Sequence, residues 1–533
     1  MKKQPPSIFN DVIGPVMRGP SSSHTAASVR IGKIIRQFMK GGTHSVTFEF
    51  EPQGSLATTF KSQGSDIGLA GGLLGMETAD PLLVNSLEIA KEQNIDIIFK
   101  ITAYNAPHPN TYRVSARGSG NGEEKSYRFT FISTGGGMFE LTDVNDIAVK
   151  VNGDYFETLV FINTDSGFDQ SGFNDELSIL FPEIDYYSYK EADSHGILTI
   201  KTGRPASAGL IEHLNKLPTL DDLVSLSPVL PIASGKYRTV PFSTAAELLG
   251  FARANPEQQL WELAAAYESA RGDIAADHVL KMGREIIVVM KEAVRIGLAG
   301  TSYSDRILGP QAYKILQNKG KLFGGEPVKN LVAYITAIME TKSSMGVIVA
   351  APTAGSCAGL PGTLIAAAQE LNCDDEALLH GLLAASIIGV IIAGQSTFAA
   401  EESGCQAECG SGSAMAAAGL VQLAGGSVEQ ALAAASMAMQ NIIGMVCDPV
   451  ANRVEVPCLG KNVLAGMNAV AAANMALSGF DQVIPLDETI AAFDQAGRML
   501  PAELRCTGKA GLSVVASSIA LSDKLCRIVK QVN

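Results

Sequence analysis

Apolar and polar residues alternate through THSVTFEFEP, with Val46, Phe48 and Phe50 sharing one side. A period of two marks a strand with one buried face. DIIFKITAY, SYRFTFIST, ETLVFINT and GILTIKT are rich in β-branched and aromatic side chains and predict further strands. Between them, GSDIGLAGGLLGM, PLLVNSLEIAKEQ and SAGLIEHLNKL predict helices. Strands alternating with helices point to an α/β domain, a mixed sheet with helices, over residues 1–154. Residues 155–217 run strand, acidic loop, strand, strand, helix. They predict a small α/β unit, either a regulatory module or an insertion.

Beyond residue 245 the pattern changes. SVEQALAAASMAMQNIIGMV, NVLAGMNAVAAANMAL and SGSAMAAAGLVQLAGG are helical and built from Ala, Gly, Ser and Met. Ser427 and Gln430 form an S-x-x-Q capping box at a helix start, and Pro449 marks the expected end. Small side chains let helices approach closely, so residues 246–533 predict a larger all-α domain. The proline-punctuated stretch 218–245 reads as a linker.

The 533 residues fit two to four domains. A formal charge of −13 argues against a nucleic-acid partner and against an anionic membrane surface. The opening MKKQPPSIFNDVIG has no apolar core of a signal peptide. GLLAASIIGVIIAG, residues 381–394, is shorter than the ~20 residues that span a bilayer and reads as a core helix. Eight cysteines in such a chain suggest a cytoplasmic, reducing setting, in which thiols serve metals or catalysis rather than disulfides.

No two of these cysteines form a C-x-x-C pair. Cys405, in ESGCQAECGSGSAMAAAG, falls at an expected helix start, where free amides favour thiolate. Cys447 falls where the capped helix should end, and Cys458 precedes another helix. Three thiols in turns, without histidine spacing, favour an iron–sulfur cluster or zinc. The plain alternative is that each is a small buried hydrophobe. Three protein ligands would leave one metal position open to a hydroxyl. In GPSSSHT, the residues Ser21, Ser22, Ser23, His24 and Thr25 precede a helical pattern. Such a loop suits a carboxylate, or is an ordinary cap with solvated serines.

Several long motifs carry a family likeness. VCDPV and VEVPC around Cys447 and Cys458, GCQAECGSGSAMAAAGL, and AAPTAGSCAGLPGTL resemble the α part of the iron–sulfur L-serine dehydratases. IFNDVIGPVMRGPSSSHTAASVRIG and STGGG resemble their β part. The order implies one fused polypeptide. The resemblance implies a four-iron, four-sulfur cluster on Cys405, Cys447 and Cys458, with Cys526 as a candidate fourth ligand and no pyridoxal phosphate. It implies β-elimination of L-serine to pyruvate and ammonia, and a small-molecule amino-acid substrate in a possible homodimer. It assigns Ser21, Ser22, Ser23, Thr25, Gly135, Gly136, Gly137 and Thr353 to substrate binding. KSQGSD (61–66) departs from the family's K-G-H-G-T-D: Gln63 replaces a histidine, and an amide takes no proton at neutral pH. Proton transfer is then expected from His24, Lys61, Asp66 or another group. The departure keeps a related dehydratase of another β-hydroxy amino acid or hydroxy acid as the alternative, with a non-catalytic cluster-bearing sensor behind it.

Overall fold

The computed structural model describes residues 4–120, 123–168, 170–236 and 238–532. They divide into two compact units. A sheet unit holds Gln4, Ser23–Lys61 and Ser65–Arg238. A helical unit holds Pro5–Ser22, Ser62–Gly64 and the described residues from Thr239 on.

The sheet unit contains two sheets. The larger runs in the order Asp96–Ile101, Thr43–Phe50, Thr111–Gly120, Glu123–Gly135, Met138–Val144, Ile147–Val151. Its first pair is parallel and the rest antiparallel. The alternation in THSVTFEFEP does what its period demands: Val46, Phe48 and Phe50 are buried, with Val46 opposite Ala116 and Phe48 opposite Val114. The helices Ala27–Phe38 and Ser65–Leu73 pack so closely that a Cβ on Gly72 would lie 2.1 Å from the Val29 carbonyl oxygen.

The smaller sheet runs Leu220–Leu226, Phe156–Asn163, His195–Thr202, Ile184–Ala192, all antiparallel. Its two central strands, Phe156–Asn163 and His195–Thr202, are buried along nearly their whole length because both faces are covered. Val160, Ile162, Leu198 and Ile200 meet the helices Gln170–Leu180 and Ala208–Asn215. Leu159, Phe161, Ile197 and Val224 join the core of the larger sheet. Two local expectations change here. The acidic loop is the helix Gln170–Leu180, and the expected linker contains the strand Leu220–Leu226. Each element gains its stability from the sheet it completes, which local propensity does not register.

The helical unit is packed through small residues. A Cβ on Gly297 would lie 2.1 Å from the Ala337 carbonyl oxygen, which brings the helices Ala276–Ala299 and Gly325–Ser343 nearly into backbone contact. The apolar helix Asp375–Gln395 is long enough to cross a membrane, but its most apolar stretch is 78% buried within the protein. The first residues of the chain also belong to this unit. Val16–Arg18 pairs antiparallel with Val347–Val349. The Glu268 carboxylate accepts from the Ser7 hydroxyl at 2.5 Å and the Ile8 amide at 2.8 Å.

Candidate active site

The three expected cysteines are all buried in the helical unit. Cys405 stands where the helical stretch Ala400–Cys405 breaks at Gly404, and it caps the helical run that begins at Gln406, as expected from the sequence. Gly404 turns left-handed there (φ 71°), and the chain passes through Gln406–Gly410 into the helix Ser411–Leu423. The fully buried Gln406 fixes this turn. Its amide nitrogen donates to the Phe493 carbonyl at 2.7 Å and its side-chain oxygen accepts from the Gly444 amide at 2.8 Å. The Gln406 backbone N–H donates to the Met445 carbonyl at 3.0 Å, which brings the strand of Cys447 alongside Cys405.

The capping box at Ser427 and Gln430 forms, but its helix ends at Gln440 and not at Pro449. Cys447 therefore lies in an extended segment. Its amide donates to the Leu504 carbonyl at 2.8 Å, and the Cys506 amide donates back to the Cys447 carbonyl at 3.1 Å. Cys405 and Cys447 pack together with Met445 and Cys506. Cys458 opens the helix Cys458–Leu477. One turn later Lys461 donates to the Val446 carbonyl at 2.7 Å and to Asp448 at 2.9 Å. Asn462 donates to the Cys458 and Gly355 carbonyls, both at 2.8 Å, and accepts from the Ala358 and Gly359 amides. These two side chains tie the 446–448 and 355–359 segments to the start of one helix.

Two of the three thiols hold their protons, Cys447 and Cys458. Hydrogen bonds with Cys405 and Cys506, and then burial, raise the Cys447 thiol well above its ordinary value. Burial, then the charge of Cys405, does the same to Cys458. At Lys461 burial opposes the ammonium, yet the charge of Cys405 and the bond to Asp448 outweigh it and raise its value. Among the described residues no three His, Cys, Asp or Glu side chains are grouped as for a single metal ion.

Beside the thiols, Glu408 accepts from the Thr353 hydroxyl at 2.5 Å. Burial pushes its carboxyl up to about 7, against the pull of that bond. The Ser22 hydroxyl accepts from the Ala354 amide at 3.2 Å, so the serine loop and APTAG meet in this unit. Ser21 is buried there as well. Gln63 is also here: its amide donates to the Asn452 carbonyl at 3.1 Å, on the turn between Cys447 and Cys458. Arg453 braces that turn on Asp305, with contacts at 2.5 and 2.9 Å, and on the Ser62 carbonyl.

The remaining expected residues lie in the sheet unit. His24 is 2% exposed, with Nε2 2.8 Å from the Thr59 hydroxyl and Nδ1 3.2 Å from the Ser23 hydroxyl. Ser133 donates to the Ser23 carbonyl at 2.8 Å. Gly135, Gly136 and Gly137 all have positive φ (95°, 59°, 87°), a tight turn that glycine permits. The buried Arg30 donates to the Gly137 carbonyl at 2.7 Å. Thr25 is fully buried. Asp66 accepts from the Ile67 amide at 2.9 Å. Lys61 is exposed, its ammonium 5.9 Å from the Phe60 ring centre. The Cys526 side chain lies outside the described residues.

Sequence reasoning missed Glu408, Lys461, Asn462 and the placement of Cys506. Glu408 and Lys461 follow the expected Cys405 and Cys458 by one helical turn each, a spacing that was there to be read. Cys506 carried no local signal, because a strand-like pairing far along the chain brings it to Cys447.

A family model described as "Serine dehydratase alpha chain" matches residues 255–513. The probable L-serine dehydratase alpha chain of Bacillus subtilis is 39% identical over 239 residues, 44% of this chain and 80% of that protein. The L-serine dehydratase alpha chain of Peptoniphilus asaccharolyticus is 44% identical over 196 residues, 37% of this chain and 67% of that protein. The probable L-serine dehydratase beta chain of Bacillus subtilis is 30% identical over 223 residues, 42% of this chain and 98% of that protein. One polypeptide thus carries the likeness of both chains, and it belongs to the L-serine dehydratase family of lyases.

Proposed function

We propose that the chain converts L-serine to pyruvate and ammonia with a four-iron, four-sulfur cluster held by Cys405, Cys447 and Cys458. The observation that carries this reading is the buried thiol group in a member of this family. The donor set fits such a cluster: it is soft, carries no histidine, and becomes anionic on ionisation. Buried thiols that repel one another's charge stay protonated until a cationic group neutralises them, so loading releases protons. Bound there with three protein ligands, the cluster supplies a Lewis-acid position for the substrate's β-hydroxyl.

Around it the chain's own residues have separate tasks. Ser22 and the Ala354 amide define a polar loop suited to a carboxylate. Gln63 spends its amide on the Asn452 carbonyl and holds the cysteine loop's turn in place, which favours a positioning role over proton transfer. The roles of Ser23, His24, Thr25, Lys61, Asp66 and Gly135–Gly137 stand as part of the same proposal. His24→Ala should raise KM or lower kcat with iron retained, and unchanged kinetics would remove that residue from it.

The deciding assay uses protein purified without oxygen. Pyruvate and ammonia from L-serine, measured beside L-threonine and D-serine, accompany iron, sulfide and visible spectra of the same sample. L-serine as the best substrate, with roughly 400 nm absorption, supports the proposal. A cluster with another preferred hydroxy acid would transfer the reading to that substrate.

A further inference from the structure

The elimination needs a group that can both take and return a proton. The groups named from sequence serve this poorly. Both ring nitrogens of His24 are engaged, Asp66 accepts from the amide of its own neighbour, and Gln63 is an amide. The helical unit's buried carboxylates are occupied by backbone amides. Glu268 holds Ile8, Glu340 holds Gln311 and Ala312 on Oε1 with its Oε2 buried and without a donor, Glu455 holds Ile307 and Leu308, and Asp448 holds Leu512 and Lys461. Such carboxylates act as structural caps.

Glu408 differs. No backbone amide donates to it. One oxygen, Oε1, accepts from the Thr353 hydroxyl, and among the described residues Oε2 has no donor. Gly355 leaves room beside it, since any Cβ there would stand 2.6 Å from Oε1. Glu408 lies one turn beyond Cys405, and Thr353 joins it to the segment whose next amide meets Ser22. An oriented carboxyl with one free oxygen, between the thiols and a carboxylate-binding loop, is equipped to exchange protons.

We propose that Glu408 is the acid–base group of the reaction, an inference that rests on the function proposed above. Oε2 takes the proton from the substrate's Cα. The C–H electron pair forms the Cα=Cβ bond, and the Cβ–O pair departs with the oxygen as hydroxide. Glu408 then returns the proton to that hydroxide, which gives water and 2-aminoacrylate. The aminoacrylate tautomerises and hydrolyses to pyruvate and ammonia. Thr353 keeps the carboxyl oriented throughout.

The test compares full-length wild type, Glu408→Gln and Glu408→Asp, all purified without oxygen. Iron and sulfide content and circular dichroism report the fold and the cluster. Kinetics with L-serine and its α-deuterated form report the proton step. Glu408→Gln should keep its iron and lose about 10²–10⁴-fold in kcat with KM little changed. Glu408→Asp should lose about tenfold and show a larger deuterium effect than wild type. A Gln variant within about threefold of wild-type kcat, iron intact, overturns the inference and leaves the proposed function standing. If the Gln variant loses its iron, the Asp variant decides: a carboxyl withdrawn by one methylene at wild-type kcat overturns it. A wild type that holds its cluster and turns over no hydroxy amino acid sinks the functional reading, and the inference with it.

Discussion

Each unit of the molecule holds a glutamate whose carboxyl desolvation pushes up to about 7, and the two differ in the charge of the partner that holds them. In the sheet unit, Glu157 sits opposite Lys201, whose ammonium lies 3.2 Å from Oε1 and also donates to the Lys150 carbonyl. In the helical unit, Glu408 has a neutral hydroxyl on Oε1 in place of an ammonium, and each glutamate's second oxygen has no donor among the described residues. A similar titration thus accompanies a carboxyl paired with an ammonium between two strands and one paired only with a neutral hydroxyl. Burial sets the proton affinity, while the neighbours decide whether the group is structural or chemical.

The packing of the units differs as sharply. The sheet unit fills its core with aromatic rings. Phe129 is 1% exposed and meets Phe38 edge-on at 4.9 Å, with Tyr127 and Phe131 beside it. The helical unit fills its core by removing side chains, so that helices touch at glycine and alanine. The first adds one backbone-tight helix contact, at Gly32 and Gly72, to its aromatic core. The second fixes backbones to one another, and therefore fixes the loops that carry Cys405, Cys447 and Cys458.

The largest effect expected follows from that fixing. Cys447→Ser or Cys458→Ser should lose iron and activity together while keeping helix content, measured by iron assay and circular dichroism. Full iron in either variant would end the cluster assignment. Next in size is the contrast between cores. Phe129→Ala should destabilise the sheet unit by about 3–5 kcal/mol through lost burial and a cavity. Gly297→Ala should destabilise the helical unit by about 1–3 kcal/mol through overpacking. Trp261 is the chain's one tryptophan and lies in the helical unit, so its fluorescence should follow the second variant's unfolding and not the first's. A Trp transition shifted equally by both would show that the units unfold as one.

The smallest effect is that of Glu157→Gln. The folded carboxyl binds its proton more tightly than an ordinary glutamate at 4.5. Its contribution is therefore complete below about 4.5 and is lost as pH rises through about 7. The wild-type sheet unit should lose stability across that window, and the glutamine variant should show a flatter profile with activity unchanged. An identical pH slope in both would mean that the group is not titrating there.

Much of the secondary structure was legible from the chain alone. Alternation placed the strands at Val46–Phe50, and the Ser427–Gln430 box marked its helix start, because both are short-range effects. The helix Gln170–Leu180 and the strand Leu220–Leu226 were not legible, since neither persists without the sheet it completes. The candidate site divides in the same way. The likeness around Cys405, Cys447 and Cys458 named the thiols, but not the end of the preceding helix at Gln440.

By itself the sequence determined the texture of each half, the cysteine motifs and the family. Only the tertiary structure decided that residues 5–22 belong with the helical unit, that Cys506 reaches Cys447, and that Glu408 keeps a free oxygen. The physical reason is range. Periodicity and capping act over a few residues, whereas the Ser7–Glu268 bonds and the Cys447–Cys506 pairing join positions far apart in the chain, and depend on which surfaces the folded backbone brings within hydrogen-bond reach.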